Sequence, residues 1–166
     1  MDVINQGALV GLPHMLAYRV NRDVGELMMT HGGNCLDRAI HNYKTVEERT
    51  HFAAEMLRQT IMALKTLHSI GYSHGDLKLQ NMCVRTDSHG RLRFTLIDFG
   101  ICQRLYQPGV NKESNSGFRG NLAYCTDQQL LHFRPTQFDD LISAVAMAYY
   151  MVNKFLPINI YVDQRR

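Results

Sequence analysis

The 166-residue sequence is notable first for what it lacks. No apolar stretch reaches the roughly 18 residues that a membrane-spanning helix needs, so no span is expected. The opening residues, Met1-Asp2-Val3-Ile4-Asn5, lack the charged and apolar regions of a signal peptide. Cys35, Cys83, Cys102 and Cys125 lie far apart with no Cys-x-x-Cys pair. Without a secretory signal, reduced thiols in a cytoplasmic or nuclear protein are expected. The eight histidines show no His-Glu-x-x-His or other metal-ligand spacing, which predicts surface or packing roles for most of them. Charge of one sign is also scarce. The net charge is +3, and no run reaches the five or six like charges of a binding tail, so neither nucleic acid nor membrane is an expected partner. No internal repeat or low-complexity tract occurs. What remains is 45% hydrophobic and 20% charged, the composition of one globular domain large enough to bury a core.

The chemistry concentrates between His74 and Gly100. The chain reads His74-Gly75-Asp76-Leu77-Lys78-Leu79-Gln80-Asn81 and, after a spacer, Leu96-Ile97-Asp98-Phe99-Gly100. Asn81 follows Asp76 by five positions and Asp98 follows Asn81 by seventeen. The spacer alternates apolar and polar residues around Thr86-Asp87-Ser88-His89-Gly90, which predicts a hairpin. Such a hairpin returns Asn81 and Asp98 to each other at the ends of neighbouring strands. These types suit phosphoryl transfer. Mg²⁺ on nucleotide phosphates takes hard oxygen ligands, and Asp98 and the side-chain oxygen of Asn81 supply them. Asp76 is placed to accept the proton of an attacking hydroxyl. Lys78 would bring a cation to the phosphate as charge spreads over its oxygens.

Around this stretch the elements follow from periodicity and punctuation. Residues 1–13 end in the loop signal Val10-Gly11-Leu12-Pro13. Met15 to Val20 and Glu26 to Thr30 predict two strands about the turn Asn21-Arg22-Asp23. A short helix is expected from Cys35 to His41. Thr45-Val46-Glu47-Glu48 is a capping box, and a helix of about 24 residues follows. Its apolar stripe runs through Phe52, Ala53, Met56, Leu57, Thr60, Ile61, Leu64, Leu67 and His68, and reads as core. It stops near Ile70-Gly71. Leu105 to Asn121 is a long irregular segment holding Lys112 and Arg119. A short helix is expected at 126–131. Phe138-Asp139-Asp140-Leu141 opens a helix to about Val152, apolar almost all round and so expected to be buried.

Taken together, these motifs resemble eukaryotic protein kinases, whose pattern is His-Arg-Asp-x-x-x-x-Asn followed by Asp-Phe-Gly. The resemblance is nearest to the casein kinase I group with its tau-tubulin and vaccinia-related kinases. Gly11-Leu12-Pro13, Leu67-His68-Ser69-Ile70-Gly71-Tyr72, Phe118-Arg119-Gly120-Asn121-Leu122-Ala123-Tyr124, Thr126-Asp127-Gln128 and Asp139-Asp140-Leu141 carry it. It implies an α+β, mainly α fold: a kinase-like large lobe with a remnant small-lobe hairpin at the N-terminus. Residues 1–31 would be the end of the small lobe and the hinge, and 32–166 a large lobe incomplete at its C-terminus. Asp76 would be the catalytic base, Lys78 the phosphate contact, and Asn81 and Asp98 the metal ligands. Met28 would be the gatekeeper, Met29, Thr30 and His31 the hinge facing adenine, and Cys83 the floor of that pocket. His74, Phe99 and Gly100 would be structural, and Asp140 would anchor the catalytic loop. Arg119 and Lys112 would contact substrate phosphate. The implied cofactors are ATP and Mg²⁺, and the implied partner is a protein substrate, acidic or primed.

Departures from the pattern matter too. Nothing in these residues matches the Gly-rich loop, the lysine of the third strand or the glutamate of helix C. The chain therefore reads as part of a kinase domain, expected to transfer phosphate poorly on its own. Gly75 replaces the arginine that meets a phosphorylated loop in many kinases, so activity independent of loop phosphorylation is expected. Two other classes are considered. Aminoglycoside- and choline-type phosphotransferases share His-Gly-Asp-x-x-x-x-Asn, but usually carry His at the place of Lys78 and lack a long segment before Asp140. A pseudokinase-like binding module is favoured by the unmatched small-lobe motifs and opposed by the intact Asp76, Asn81 and Asp98.

Overall fold

The computed structural model describes residues 11–109 and 118–156. Strands β1 (Met15–Asn21) and β2 (Val24–Met29) form an antiparallel hairpin in which Asn21 pairs with Val24, leaving Arg22-Asp23 as the turn. A register shift between Met15 and Ala17 bulges β1 at Leu16. Every residue of both strands is exposed. The short strand β3 (Asn34–Cys35) leads into helix α1 (Leu36–Ala39) and a 3-10 turn over Ile40–Asn42.

Helix α2 (Val46–Ser69) begins as its capping box requires. The Glu48 amide donates to Thr45 Oγ1, and Glu48 Oε2 accepts from the Thr45 amide. It ends where the Gly71 amide closes onto the His68 carbonyl at 3.0 Å. Phe52, Ala53, Met56, Ala63 and Leu64 are buried as the stripe predicted or extended it, but the expected Ile61 is 44% exposed. Gln59 is buried instead. The reason is the edge of the neighbouring sheet. Gln59 Nε2 donates to the Leu92 carbonyl at 2.9 Å and Gln59 Oε1 accepts from the Phe94 amide at 3.0 Å. These backbone groups would otherwise lie unpaired at an edge.

That sheet has the order β3-β5-β6, with β5 (Met82–Thr86) and β6 (Leu92–Leu96) forming the hairpin read from the spacer. Asp87 holds its turn, accepting from the amides of His89 and Arg91 and from the guanidinium groups of Arg91 and Arg93. The Arg91 amide foremost holds the Asp87 carboxyl well below the usual range. Strands β4 (Tyr72–Ser73) and β7 (Gln103–Arg104) pair antiparallel and close the functional stretch into one loop. Helix α3 (Asp127–Leu130) follows, then α4 (Gln137–Asn153).

The core lies where α2, α4 and the β5–β6 hairpin meet. Phe52 stacks on Tyr43 with ring centroids 3.9 Å apart and lies 5.2 Å from Phe94. Met82, Leu96, Met147 and Met151 close over them. α4 is not buried all round as its composition suggested. Ala144, Met147 and Met151 face the core, whereas Phe138, Ile142, Val145 and Tyr149 are exposed. Their spacing puts them on one face, and α4 has a packing partner in α2 only on the other. No helix among the described residues is long and apolar enough to cross a membrane.

Candidate active site

The site is built on the loop between β4 and the β5–β6 hairpin. Asp140, buried in the first turn of α4, accepts from the His74 amide at 2.9 Å, the Gly75 amide at 3.0 Å and His68 Nε2 at 2.8 Å. Burial opposes ionisation of Asp140, but these three donors outweigh it and hold its carboxyl below the ordinary value. The Asp76 amide donates to His74 Nδ1 at 3.2 Å. The proton of that ring therefore sits on Nε2, which donates to the Ile97 carbonyl at 3.1 Å. Burial holds the His74 pKa below its usual value, so the ring is neutral at pH 7. Phe99 meets it edge-on with centroids 5.1 Å apart.

Asp76, Lys78 and Asn81 gather at one point. Lys78 Nζ lies 2.5 Å from Asp76 Oδ2. Asn81 Nδ2 donates to the same oxygen and to the Asp76 carbonyl, both at 2.9 Å. The Asn81 oxygen is thereby the atom left for a cation. Asp76 Oδ1 is buried with no hydrogen-bond partner among the described residues. An unsatisfied buried carboxylate oxygen is costly unless something comes to meet it. The hairpin register brings Asp98 to the same end of the sheet: Met82 pairs with Leu96, and the Ile97 amide donates to the Asn81 carbonyl at 2.9 Å. Asp98 is exposed, at φ 66°, a left-handed conformation uncommon for a residue with a side chain. The Gly100 amide donates to its Oδ1 at 3.3 Å.

Asn81 and Asp98 are two hard oxygen donors, the number Mg²⁺ takes from a protein when phosphates and water complete its shell. Among the described residues no group of three His, Cys, Asp or Glu side chains forms a self-sufficient metal site. The donor set thus fits a cation that arrives with phosphates.

The other expected residues are placed apart. Met28 is 61% exposed on β2, and Met29 is 36% exposed. Thr30 and His31 line a cleft with Arg85, Arg93 and Leu12. Cys83 is buried on β5. Arg119 is exposed, and Lys112 lies outside the described residues. Sequence reasoning missed Asn121, which lines a small cleft with Gly75, Asp76 and Tyr124. Gly120, beside it, has φ +123°, and a Cβ there would stand 2.6 Å from the Gly75 carbonyl oxygen. Only glycine lets the 118–121 segment lie this close to the Asp76 loop.

A family model, described as the protein kinase domain, matches residues 18–165. This chain belongs to the protein kinase family. A putative casein kinase I of Caenorhabditis elegans is 32% identical over 102 residues, 60% of this chain and 30% of that protein. The serine/threonine-protein kinase/endoribonuclease IRE1 of Oryza sativa subsp. japonica is 31% identical over 100 residues, 60% of this chain and 11% of that protein. The chain thus spans under a third of the length of these curated relatives. The structure of vaccinia related kinase 3 superposes with a TM-score of 0.72 at 22% identity, covering 92% of this chain and 49% of that one. The fold is accordingly the protein kinase fold, in the α+β form expected.

Proposed function

We propose that this chain is the catalytic region of a serine/threonine protein kinase, transferring the γ-phosphate of ATP to a protein hydroxyl. The observation that carries this reading is the Asp76 cluster. One carboxylate oxygen is held by Asn81 and Lys78, and the other is buried and unpartnered. In this reading Asp76 Oδ1 accepts the proton of the substrate hydroxyl, while Lys78 and Asn81 fix the carboxylate. Lys78 also puts its charge where the transferring phosphate becomes more negative. Asn81 and Asp98 would hold Mg²⁺, which when bound neutralises charge on the nucleotide phosphates. Asp140 orients the loop through the His74 and Gly75 amides. His74 and Phe99 support the Asp98 turn by packing.

Residues 1–31 serve as the end of a small lobe with the hinge, and 32–166 as the large lobe. Met28, Met29, Thr30, His31 and Cys83 would border adenine. Arg119 and Lys112 would meet acidic or primed substrate. Lys78 and the likeness to casein kinase I favour Ser/Thr over Tyr. The second reading, a non-catalytic binding module, is favoured by the β1–β2 hairpin, whose two faces are both exposed and give a nucleotide little enclosure.

Nucleotide binding separates the two. Mg²⁺-ATP at 100 times its dissociation constant should stabilise the chain by about 2.7 kcal/mol in a thermal-shift assay. Asp98→Asn should lose that gain. A folded chain that shows no shift supports the binding module. Phosphate transfer to casein by the 166 residues is expected to be weak, since they carry no match to the Gly-rich loop or its lysine partner. What transfer occurs should vanish in Asp76→Asn.

A further inference from the structure

The β5–β6 hairpin contains a pair of arginines that the kinase reading does not use. Arg85 and Arg93 are direct cross-strand partners. Like charges directly opposite on one face of an antiparallel pair are destabilising. The conflict is only half relieved. Arg93 is bound by Asp87, with Nε and Nη2 each 2.9 Å from Oδ2. The Arg85 side chain is exposed and has no hydrogen bond or ion pair among the described residues.

Both arginines open onto a cleft of about 420 Å³, within the size range of ligand sites. His14, Thr30 and His31 also line it, the last two being residues the kinase reading sets beside adenine, and Leu12 and Phe94 add apolar surface. No Asp or Glu lines it among the described residues. The cleft shares no lining residue with the one at Asp76. A Cβ on Gly33, at φ +113°, would stand 2.2 Å from the Val84 carbonyl oxygen and 2.8 Å from Arg85 Cβ. The chain leaving His31 is therefore seated directly on β5.

The edge of β6 is already occupied. Gln59 takes the Leu92 carbonyl and the Phe94 amide, and the Leu96 amide donates to the Gly11 carbonyl at 2.8 Å. An occupant cannot be gripped as an added strand, so it must be held through side chains. Two arginines at one cross-strand position, one of them with an unpaired guanidinium, suit carboxylates, which arginine binds in a bidentate fork. A cleft this large with an apolar patch suits a segment of chain rather than a single small anion.

We propose that this cleft docks a peptide segment carrying acidic and aliphatic side chains, with Arg85 as its principal anchor. The anchor, Arg85, has no part in the proposed phosphate transfer, although Thr30 and His31 are shared with the proposed adenine border. The test is fluorescence anisotropy with a short fluorescein-labelled peptide of alternating glutamate and leucine. The peptide should bind saturably, and more weakly as salt is raised. Arg85→Glu should weaken it about tenfold or more. Arg85→Lys should lose less, since it keeps the charge without the fork. Arg22→Glu makes the same charge change in the β1–β2 turn, outside the cleft, and should leave affinity unchanged.

A second readout guards against unfolding. Arg85→Glu replaces a repelling cross-strand pair by an attracting one, so its thermal midpoint should rise while binding falls. Three results would overturn the proposal: no saturable binding by the parent chain, equal losses in Arg85→Glu and Arg22→Glu, or an oligouridylate whose binding is lost in Arg85→Glu while peptide binding is not. The last would assign the cleft to nucleic acid.

Discussion

β1–β2 and β5–β6 are both antiparallel hairpins with short polar turns, yet every residue of the first is exposed while the second buries Met82, Val84, Phe94 and Leu96. Propensity does not separate them; neighbours do. A lone two-stranded hairpin is marginal in water, and a hydrophobic face needs a third strand or a helix against it. β5–β6 has both, with β3 on one edge and α2 across its face. Among the described residues β1–β2 pairs with no other strand. The placement of chemistry follows the same division. Asn81 and Asp98 sit at the base of the packed hairpin, where register is fixed by its buried face. Met28 and Met29 sit on the open one.

The largest expected effect breaks the packed member. Phe94 is 2% exposed and lies against Phe52. Phe94→Ala should cost about 3–5 kcal/mol through lost burial and the cavity left behind. Urea unfolding measures it. Because β6 positions Ile97 and Asp98, this variant should also lose the ATP-dependent shift before it loses the helical signal.

An intermediate effect comes from acid. Burial depresses the folded pKa of His74, so the neutral ring is the form the fold prefers. The unfolded chain takes up this proton first, near its ordinary value of about 6.5, and stability is lost as pH falls below that. Asp140 adds a second loss at lower pH, since its folded pKa lies below 3.8 and it must be protonated against its three donors. The thermal midpoint should therefore fall between about pH 7 and pH 5, and His74→Phe should flatten that fall. Both groups act on the Asp76 loop and the base of β5–β6; neither touches β1–β2. A flat profile in the parent chain would show that His74 is not buried neutral in solution.

Some of this is legible in the sequence alone. Thr45 and Glu48 marked the start of α2 because a capping box is a local pattern, complete within four residues. The Thr86–Gly90 turn between alternating runs marked β5–β6, and a hairpin there puts Asn81 and Asp98 at the same end of two neighbouring strands. What escaped was set by distant partners. Gln59 is buried because an edge strand 33 residues later offers it a carbonyl and an amide. His68 falls on the apolar stripe of α2, yet its ring reaches Asp140, 72 residues on. The outer face of α4 is apolar in composition, and a helix period cannot tell a face with a neighbour from one without. The hairpin of Met15–Met29 was legible as a hairpin, but its exposure on both sides was not.

The smallest expected effect sharpens the comparison from the open side. Val20 is 75% exposed on β1, the most open large apolar side chain of either hairpin. Val20→Thr keeps the branched shape that strands favour and removes only apolar surface that is already wet. It should change stability by less than about 0.5 kcal/mol, against several for Phe94→Ala. Urea midpoints of the two variants, measured side by side, give the ratio directly. A loss above about 1 kcal/mol in Val20→Thr would mean that this face is buried in solution, because only burial gives a surface valine that much to lose. Sedimentation would then name the cover. A mass that falls on dilution points to a second copy of this chain, and a constant monomer mass points to a contact within it.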